Sequence, residues 1–148
     1  MKNILHKNNK LEIRKSPIHG YGVFARENIK VGEILEECHH IRITAENNQR
    51  CNCIEPELLP YKRYTFSFPY TKTPDATKPY QYDTLVLGYG SIYNSSTCSE
   101  TNNADVSTDL SNNIFIFIAA KDILAGEEIL IYYGDNWWKR NGELKENK

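Results

Sequence analysis

The C-terminal third of the chain contains its most informative stretch, in which residues 126–135 read Gly-Glu-Glu-Ile-Leu-Ile-Tyr-Tyr-Gly-Asp. The pattern predicts a Gly-Glu turn, a short apolar strand over Ile129–Tyr132, and a second turn at the next glycine. Taken alone, the stretch is also explained by an edge hairpin with half-buried tyrosines. Its meaning therefore depends on the segments that precede it.

A related pattern lies near the N-terminus. Residues 25–33 read Ala-Arg-Glu-Asn-Ile-Lys-Val-Gly-Glu, and residues 120–127 read Ala-Lys-Asp-Ile-Leu-Ala-Gly-Glu. Each segment has a strand end, a charged pair, an isoleucine, and a Gly-Glu turn three residues later. The echo predicts one strand–turn–strand device that is used twice, and it is too short to indicate a solenoid.

Short apolar segments bounded by turns predict a mainly β fold. The region Thr44–Tyr82 contains five prolines, which argue against long helices there. Tyr93–Asn113 is rich in Ser, Thr and Asn and is predicted to be a long loop. The expected strands are Leu11–Arg14, Val23–Ala25, Glu33–Glu36, Thr84–Leu87, Ile114–Ile118 and Ile129–Tyr132.

The 148 residues are enough for one domain with one core. We expect the domain to span residues 11–138, between an N-terminal tail of residues 1–10 and a C-terminal tail of residues 139–148. The net charge of −1 gives no field strong enough to bind nucleic acid or a membrane surface by charge alone. No apolar run approaches the roughly 20 residues of a membrane span, and the N-terminus lacks a signal core. We therefore expect an intracellular protein that is not secreted.

The chain has four cysteines: Cys38, Cys51, Cys53 and Cys98. The spacing of Cys51 and Cys53 is too tight for the usual zinc-ligand pair, and no second Cys or His pair follows them. We therefore expect free thiols and no metal.

Two further segments complete the pattern. Residues 19–25 read His-Gly-Tyr-Gly-Val-Phe-Ala, and two glycines two residues apart allow close approach of a ligand, although a plain tight turn also explains them. Residues 88–95 read Gly-Tyr-Gly-Ser-Ile-Tyr-Asn-Ser. In this order, the three segments resemble the SET domain family of protein-lysine methyltransferases over about residues 11–138. The length and the aromatic pair after Gly-Asp are similar to those of short viral SET proteins.

The resemblance has one departure. Where the family has Asn-His-Ser, this chain has Asn94-Ser95-Ser96, and the Pro-Asn that follows in the family is replaced by Asn102-Asn103. In the family, the histidine position contacts the cofactor adenine mainly through its backbone. The resemblance therefore implies that the side chain of Ser95 is nearly dispensable for cofactor binding.

The resemblance implies a SET fold of small curved sheets, in which the C-terminal segment threads beneath the asparagine loop as a pseudoknot. It implies methyl transfer from S-adenosylmethionine to a lysine of a protein substrate, with histone tails among the candidates, and a homodimer is compatible with it. Two alternatives stay open. One is a catalytically silent SET fold that binds a peptide or partner protein, and the other is a small β-barrel interaction domain with chance motif matches.

The resemblance also implies roles for individual residues of the site. Tyr133 matches the essential tyrosine of the family, and Tyr64 and Tyr21 are further catalytic candidates. Ile131 matches the position that tunes how many methyl groups are added, where an isoleucine favours more than one. Trp137, with its neighbour, is expected to pack on adenine or to close the lysine channel. The expected cofactor-binding residues are His19, Gly20, Tyr21, Gly22, Asn94, Ser95, Tyr133 and Trp138.

Overall fold

The computed structural model describes residues 2–43, 64–70 and 80–141. The two cysteines at positions 51 and 53, most of the proline-rich region, and the last seven residues lie outside the described residues. The predictions that fall on them therefore remain predictions. The two cysteines within the described residues, Cys38 and Cys98, are free thiols.

The described residues form ten strands and one short helix. The strands are β1 Leu11–Lys15, β2 Tyr21–Ala25, β3 Ile34–Cys38, β4 His40–Arg42, β5 Thr65–Tyr70, β6 Tyr80–Val86, β7 Asn94–Ser95, β8 Ala104–Asp109, β9 Ile114–Ala119 and β10 Leu130–Ile131, and the helix is α1 Asp135–Asn141.

The strands form four small sheets. β1 and β2 are an antiparallel hairpin, and β7 and β10 form a parallel pair. Two antiparallel three-stranded sheets have the orders β3-β9-β8 and β4-β6-β5. The prediction of a mainly β fold built from small sheets is confirmed, and each of the six predicted strands overlaps an observed one.

The two Gly-Glu turns that echo each other in the sequence lie against each other in space. Ile29 and Ile123 exchange two backbone hydrogen bonds, each 2.8 Å long, and both side chains are fully buried. The N–H of Gly126 donates to the carbonyl of Ala25 at 2.7 Å, and the equivalent N–H of Gly32 donates to that of Ala119 at 2.8 Å. The contacts are reciprocal, so the two turns are related by an approximate twofold axis.

The same symmetry extends to the way each turn is closed. The carboxylate of Glu33 accepts the N–H of Lys30 at 2.8 Å, and that of Glu127 accepts the N–H of Leu124 at 2.8 Å. Both turn glycines have a positive φ, which a side chain would disfavour. The glutamate of each Gly-Glu pair therefore caps its own turn.

The prediction that Tyr93–Asn113 is a loop is wrong, because β7 and β8 lie within it. Ala104 and Val106 face inward from β8, while Asp105 and Ser107, which alternate with them, are exposed. Small and polar residues hid this alternation. The strand forms because the strongly apolar β9 provides a full antiparallel partner for it.

The N-terminal residues that the sequence places outside the domain pack along the outer edge of β3. The N–H of Asn8 donates to the carbonyl of Leu35 at 2.9 Å, and the N–H of Glu37 donates to that of His6 at 2.8 Å. Asn8 is buried. These contacts extend the sheet by a short segment at this edge.

Helix α1 follows Gly134 directly and crosses the expected limit between domain and C-terminal tail. It is seven residues long. Within residues 2–43, 64–70 and 80–141, no helix is long and apolar enough to cross a membrane.

An aromatic cluster joins the two three-stranded sheets. The ring of His40 on β4 stacks on Phe68 of β5, with centroids 4.4 Å apart, and meets Phe115 of β9 edge-on at 5.4 Å. Its Nε2 lies 3.3 Å from the side-chain oxygen of Asn113. Burial is the main cause that lowers the pKa of His40, because it disfavours the imidazolium.

We predict that this histidine makes the fold sensitive to mild acid. Its pKa is lower in the folded state than its ordinary value of 6.5, so the unfolded chain binds the proton more readily. The free energy of unfolding should therefore fall as pH drops below about 6.5. Chemical denaturation between pH 7 and pH 5 checks this. His40→Phe should flatten the decline, and the exposed control His39→Gln should retain it; an equally steep decline in His40→Phe would contradict the assignment.

Candidate active site

The first wall of the candidate site is the turn between β1 and β2. The hydroxyl of Ser16 accepts the N–H of Ile18 at 2.9 Å, and the N–H of Ser16 donates to the carbonyl of Gly20 at 2.9 Å. Gly20 has a φ of 51°, and a Cβ placed there would meet nothing within 4 Å. The turn therefore presents its backbone to open space.

The second glycine of this turn is required for a different reason. Gly22 is buried and does not have a positive φ. A Cβ at this position would lie 2.0 Å from a side-chain oxygen of Glu128 and 3.0 Å from the side-chain nitrogen of Asn94. Close packing of these two side chains, rather than the backbone shape of the turn, excludes a side chain at Gly22.

Asn94 connects the turn to β7. Its side-chain nitrogen lies within hydrogen-bond distance of three acceptors: the carbonyls of His19 (3.1 Å) and Tyr21 (3.2 Å), and the carboxylate of Glu128 (2.7 Å). An amide has only two hydrogens, so the three acceptors share them. Asn94 is buried, and its contacts hold the glycine turn against the C-terminal segment.

The C-terminal segment passes between β7 and Asn103. The N–H of Ser96 donates to the carbonyl of Ile131 at 2.8 Å on one side. On the other side, the side-chain oxygen of Asn103 accepts the N–H of Leu130 at 2.7 Å, and its nitrogen donates to the carbonyl of Glu128 at 2.9 Å. The Asn103 amide thus bonds the C-terminal segment on the side opposite β7, as a neighbouring strand would. The C-terminal segment passes between these two partners in the way expected for the C-terminal pseudoknot.

Ser95 supports the backbone of the principal tyrosine. Its hydroxyl accepts the N–H of Tyr133 at 3.1 Å and donates to the carbonyl of Ser96 at 2.8 Å. The expectation that this side chain is nearly dispensable for cofactor binding stays a prediction, and the structure adds a local role for the hydroxyl. The hydroxyl satisfies a backbone donor in a buried region, where an unpaired N–H is unfavourable.

Tyr133 is the best-anchored phenol of the site. Its hydroxyl donates to the carbonyl of Tyr93 at 2.6 Å, and its ring meets Trp137 edge-on at 4.8 Å. Burial raises the pKa of Tyr133 well above its ordinary value, and the nearby Tyr64 and Glu128 raise it further. The phenol is therefore neutral at physiological pH and does not act as a base.

The other aromatic residues of the prediction lie at different depths. Tyr64 is 42% exposed and close enough to affect Tyr133 electrostatically. Tyr21 is 66% exposed, and its carbonyl accepts a hydrogen bond from Asn94. Trp138 is half-buried in α1, and its ring is 5.0 Å from that of Trp137. Among the described residues, no group of three or more His, Cys, Asp or Glu side chains could hold a metal ion.

Three residues of the site have no role that the sequence alone indicates: Glu128, Asn103 and Ser16. Glu128 stands inside the Gly-Glu-Glu motif, but nothing in the local pattern distinguishes it from the turn-capping glutamate before it. Asn103 and Ser16 make contacts with residues far away in sequence, which a local pattern does not encode.

We predict that Ser95→Ala lowers the free energy of unfolding by about 1 kcal/mol, because it leaves the N–H of Tyr133 without its acceptor. Urea denaturation at neutral pH measures the change. Ser107→Ala, at an exposed position of β8, is the matched control and should change stability little. Equal effects of the two substitutions would show that the Ser95 hydroxyl has no structural role.

Comparisons with known proteins agree with this architecture. The family model described as the SET domain matches residues 20–134. A solved structure of a Plasmodium falciparum protein, named as a candidate histone methyltransferase, is 33% identical to this chain with a TM-score of 0.60. The alignment covers 88% of this chain and 98% of that one. No match was found among curated protein sequences.

Two more distant structures share the fold. The methyltransferase domain of human PR domain-containing protein 2 is 15% identical, with a TM-score of 0.57 over 87% of this chain and 80% of that one. The Neurospora histone lysine methyltransferase DIM-5 is 20% identical, with a TM-score of 0.60 over 84% of this chain and 52% of that one. The expected fold is confirmed, and the chain belongs to the SET domain family.

Proposed function

We propose that this protein is a lysine methyltransferase that transfers a methyl group from S-adenosylmethionine to the ε-amine of a lysine in a protein substrate. The observation that carries the proposal is the position of Tyr133. This half-buried, neutral phenol is fixed at its hydroxyl by Tyr93 and at its backbone by Ser95. It is also near enough to Glu128, beneath the glycine turn, for that carboxylate to affect its ionisation.

The turn and its surroundings fit such a cofactor. The open space above Gly20 leaves room for a polar ligand to approach the backbone of the turn. The aromatic rings of Trp137 and Trp138 at the start of α1 offer faces on which an adenine can pack. In this proposal His19, Gly20, Tyr21 and Gly22 hold the methionine portion, and Asn94, Ser95, Tyr133 and Trp138 surround the rest. When bound, S-adenosylmethionine supplies a sulfonium methyl group, and the neutral thioether that remains is a leaving group that needs no acid catalyst.

Tyr133 orients the amine. Its proton is committed to the carbonyl of Tyr93, so its oxygen can accept a hydrogen bond from an amine N–H. That contact points the nitrogen lone pair away from the phenol and toward the methyl group, which is a task of alignment rather than of proton transfer. Tyr64 and Tyr21, which are partly exposed, are proposed to line the entrance.

The protein must also receive the lysine in its uncharged form. A lysine pKa, ordinarily near 10.4, falls when the ammonium group loses water and faces another cation. The half-buried rings of Tyr133 and Trp137 offer apolar surface against which the ammonium group would lose water. Desolvation therefore favours the neutral amine that reacts.

The substrate class follows from similarity. The Plasmodium falciparum relative is named as a candidate histone methyltransferase and aligns along nearly its whole length. Histone tails are therefore the first substrates to test. Incubation with isotopically labelled S-adenosylmethionine and a histone panel or cell lysate, followed by mass spectrometry, identifies the modified lysine. A wild-type protein that binds the cofactor and modifies nothing would instead support a silent peptide-binding module.

We predict that Tyr133→Phe reduces methyl transfer by about 100-fold or more, because the amine loses its orienting oxygen. Affinity for S-adenosylmethionine, measured by calorimetry, should change only a few-fold. Tyr132→Phe is the matched control, since its hydroxyl is bound to Asp135 instead. Full turnover in Tyr133→Phe would remove Tyr133 from the mechanism.

We predict that Gly22→Ala weakens binding of S-adenosylmethionine more than Gly20→Ala does. A Cβ at Gly22 displaces the side chains of Glu128 and Asn94, whereas a Cβ at Gly20 meets only open space and adds backbone strain of about 1–2 kcal/mol. Calorimetric titration of both variants, with folding checked by circular dichroism, gives the comparison. The reverse order of affinities would contradict the role assigned to the packing beneath the turn.

A further inference from the structure

Glu128 is a partly exposed carboxylate at the centre of the candidate site. One oxygen accepts a hydrogen bond from Asn94 at 2.7 Å, and the other accepts one from the Ser16 hydroxyl at 2.9 Å. Its first oxygen lies directly beneath Gly22, where it would touch any added Cβ. Its backbone pairs with Phe24 and with the Asn103 amide. Hydrogen bonds to both carboxylate oxygens and to the backbone therefore fix the carboxylate below the glycine turn.

Among the residues that the structure describes, no neighbouring cation balances the charge of Glu128. Both of its hydrogen-bond donors, an amide and a hydroxyl, are neutral. Within the described part of the chain no lysine, arginine or histidine forms an ion pair with it, whereas Glu33 and Glu37 pair with Lys10 and Lys2. A partly buried negative charge acts more strongly on a nearby cation than an exposed one does, because less water screens it.

Nothing in the local structure requires this charge. A glutamine would fill the same volume, could accept the Asn94 hydrogen bond with its oxygen, and could donate to Ser16 with its nitrogen. The turn-capping role that a glutamate performs in this motif belongs to Glu127, whose carboxylate accepts the N–H of Leu124. We therefore infer that the negative charge of Glu128 serves to bind a positively charged ligand.

We propose that Glu128 is a specificity-determining residue that supplies the counter-charge for the sulfonium of S-adenosylmethionine. This inference rests on the proposed function. The cofactor carries one positive charge more than its product S-adenosylhomocysteine, in which sulfur is a neutral thioether. A fixed carboxylate near the sulfur thus favours the loaded cofactor over the spent one. The same difference in charge assists release of the product after each transfer.

Glu128→Gln is the central test, because it removes the charge and preserves the shape. Calorimetry would measure the dissociation constants of S-adenosylmethionine and S-adenosylhomocysteine for the full chain. We expect affinity for S-adenosylmethionine to fall by about tenfold, and affinity for S-adenosylhomocysteine to change by about twofold or less. Glu127→Gln makes the same chemical change one residue earlier, at an exposed position, and should leave both affinities unchanged.

The ratio of the two affinities separates charge from structure. A merely structural role would weaken both ligands equally, so an unchanged ratio in Glu128→Gln overturns the inference. Glu128→Asp provides the complementary test, because it keeps the charge and shortens the side chain; it should retain most of the preference for S-adenosylmethionine. If the glutamine variant does not fold, loss of the preference in Glu128→Asp overturns the inference. Failure of the wild-type protein to bind either ligand would instead refute the proposed function.

Discussion

The rest of the fold depends on the contact between the two Gly-Glu turns. Ile29 and Ile123 are both fully buried, and their paired backbone hydrogen bonds bring two distant parts of the chain to one point. From there, the N–H of Ile129 donates to the carbonyl of Val23 at 2.8 Å, which continues the contact toward the site. Glu128, which directly precedes Ile129 in the chain, is thereby placed beneath the glycine turn. A buried apolar pair with satisfied backbone groups is a strong anchor, because both burial and hydrogen bonding favour it.

The candidate site is assembled on this anchor from short segments that contribute one or two groups each. Asn94 holds the glycine turn, Ser95 holds the backbone of Tyr133, and the carbonyl of Tyr93 holds its hydroxyl. Each hydrogen bond has a geometric effect, because it restricts a neighbouring group rather than taking part in chemistry. This arrangement suits a reaction whose leaving group is supplied by a cofactor and whose main requirement is alignment. Electrostatics adds a second requirement, which the carboxylate of Glu128 addresses.

Much of the fold could be predicted from periodicity. The apolar run in β9 is a local signal of burial, and the echo between the two Gly-Glu turns is visible by inspection. The alternation in β1 indicated a strand, although Leu11 is its one buried residue. β8 was not predicted from the sequence, because its inward positions are small and its outward positions are polar. Its strand conformation depends on pairing with β9. The packing of Asn8 on β3 was missed for a similar reason. The neighbouring residues in the sequence are charged and polar, and such a segment indicates a tail unless its partner strand is known.

For the site, residue types and order were enough to indicate the glycine turn, the asparagine segment and Tyr133, because these residues carry their chemistry in recognisable local patterns. Their roles depended on the path of the chain. The bond between Ser95 and Tyr133 joins residues 38 positions apart, and that between Ser16 and Glu128 joins residues 112 positions apart. Such contacts have no period and no local spacing. They arise when separate segments pack into one core, which is why the meaning of a serine, a glycine or a second glutamate here became readable only in three dimensions.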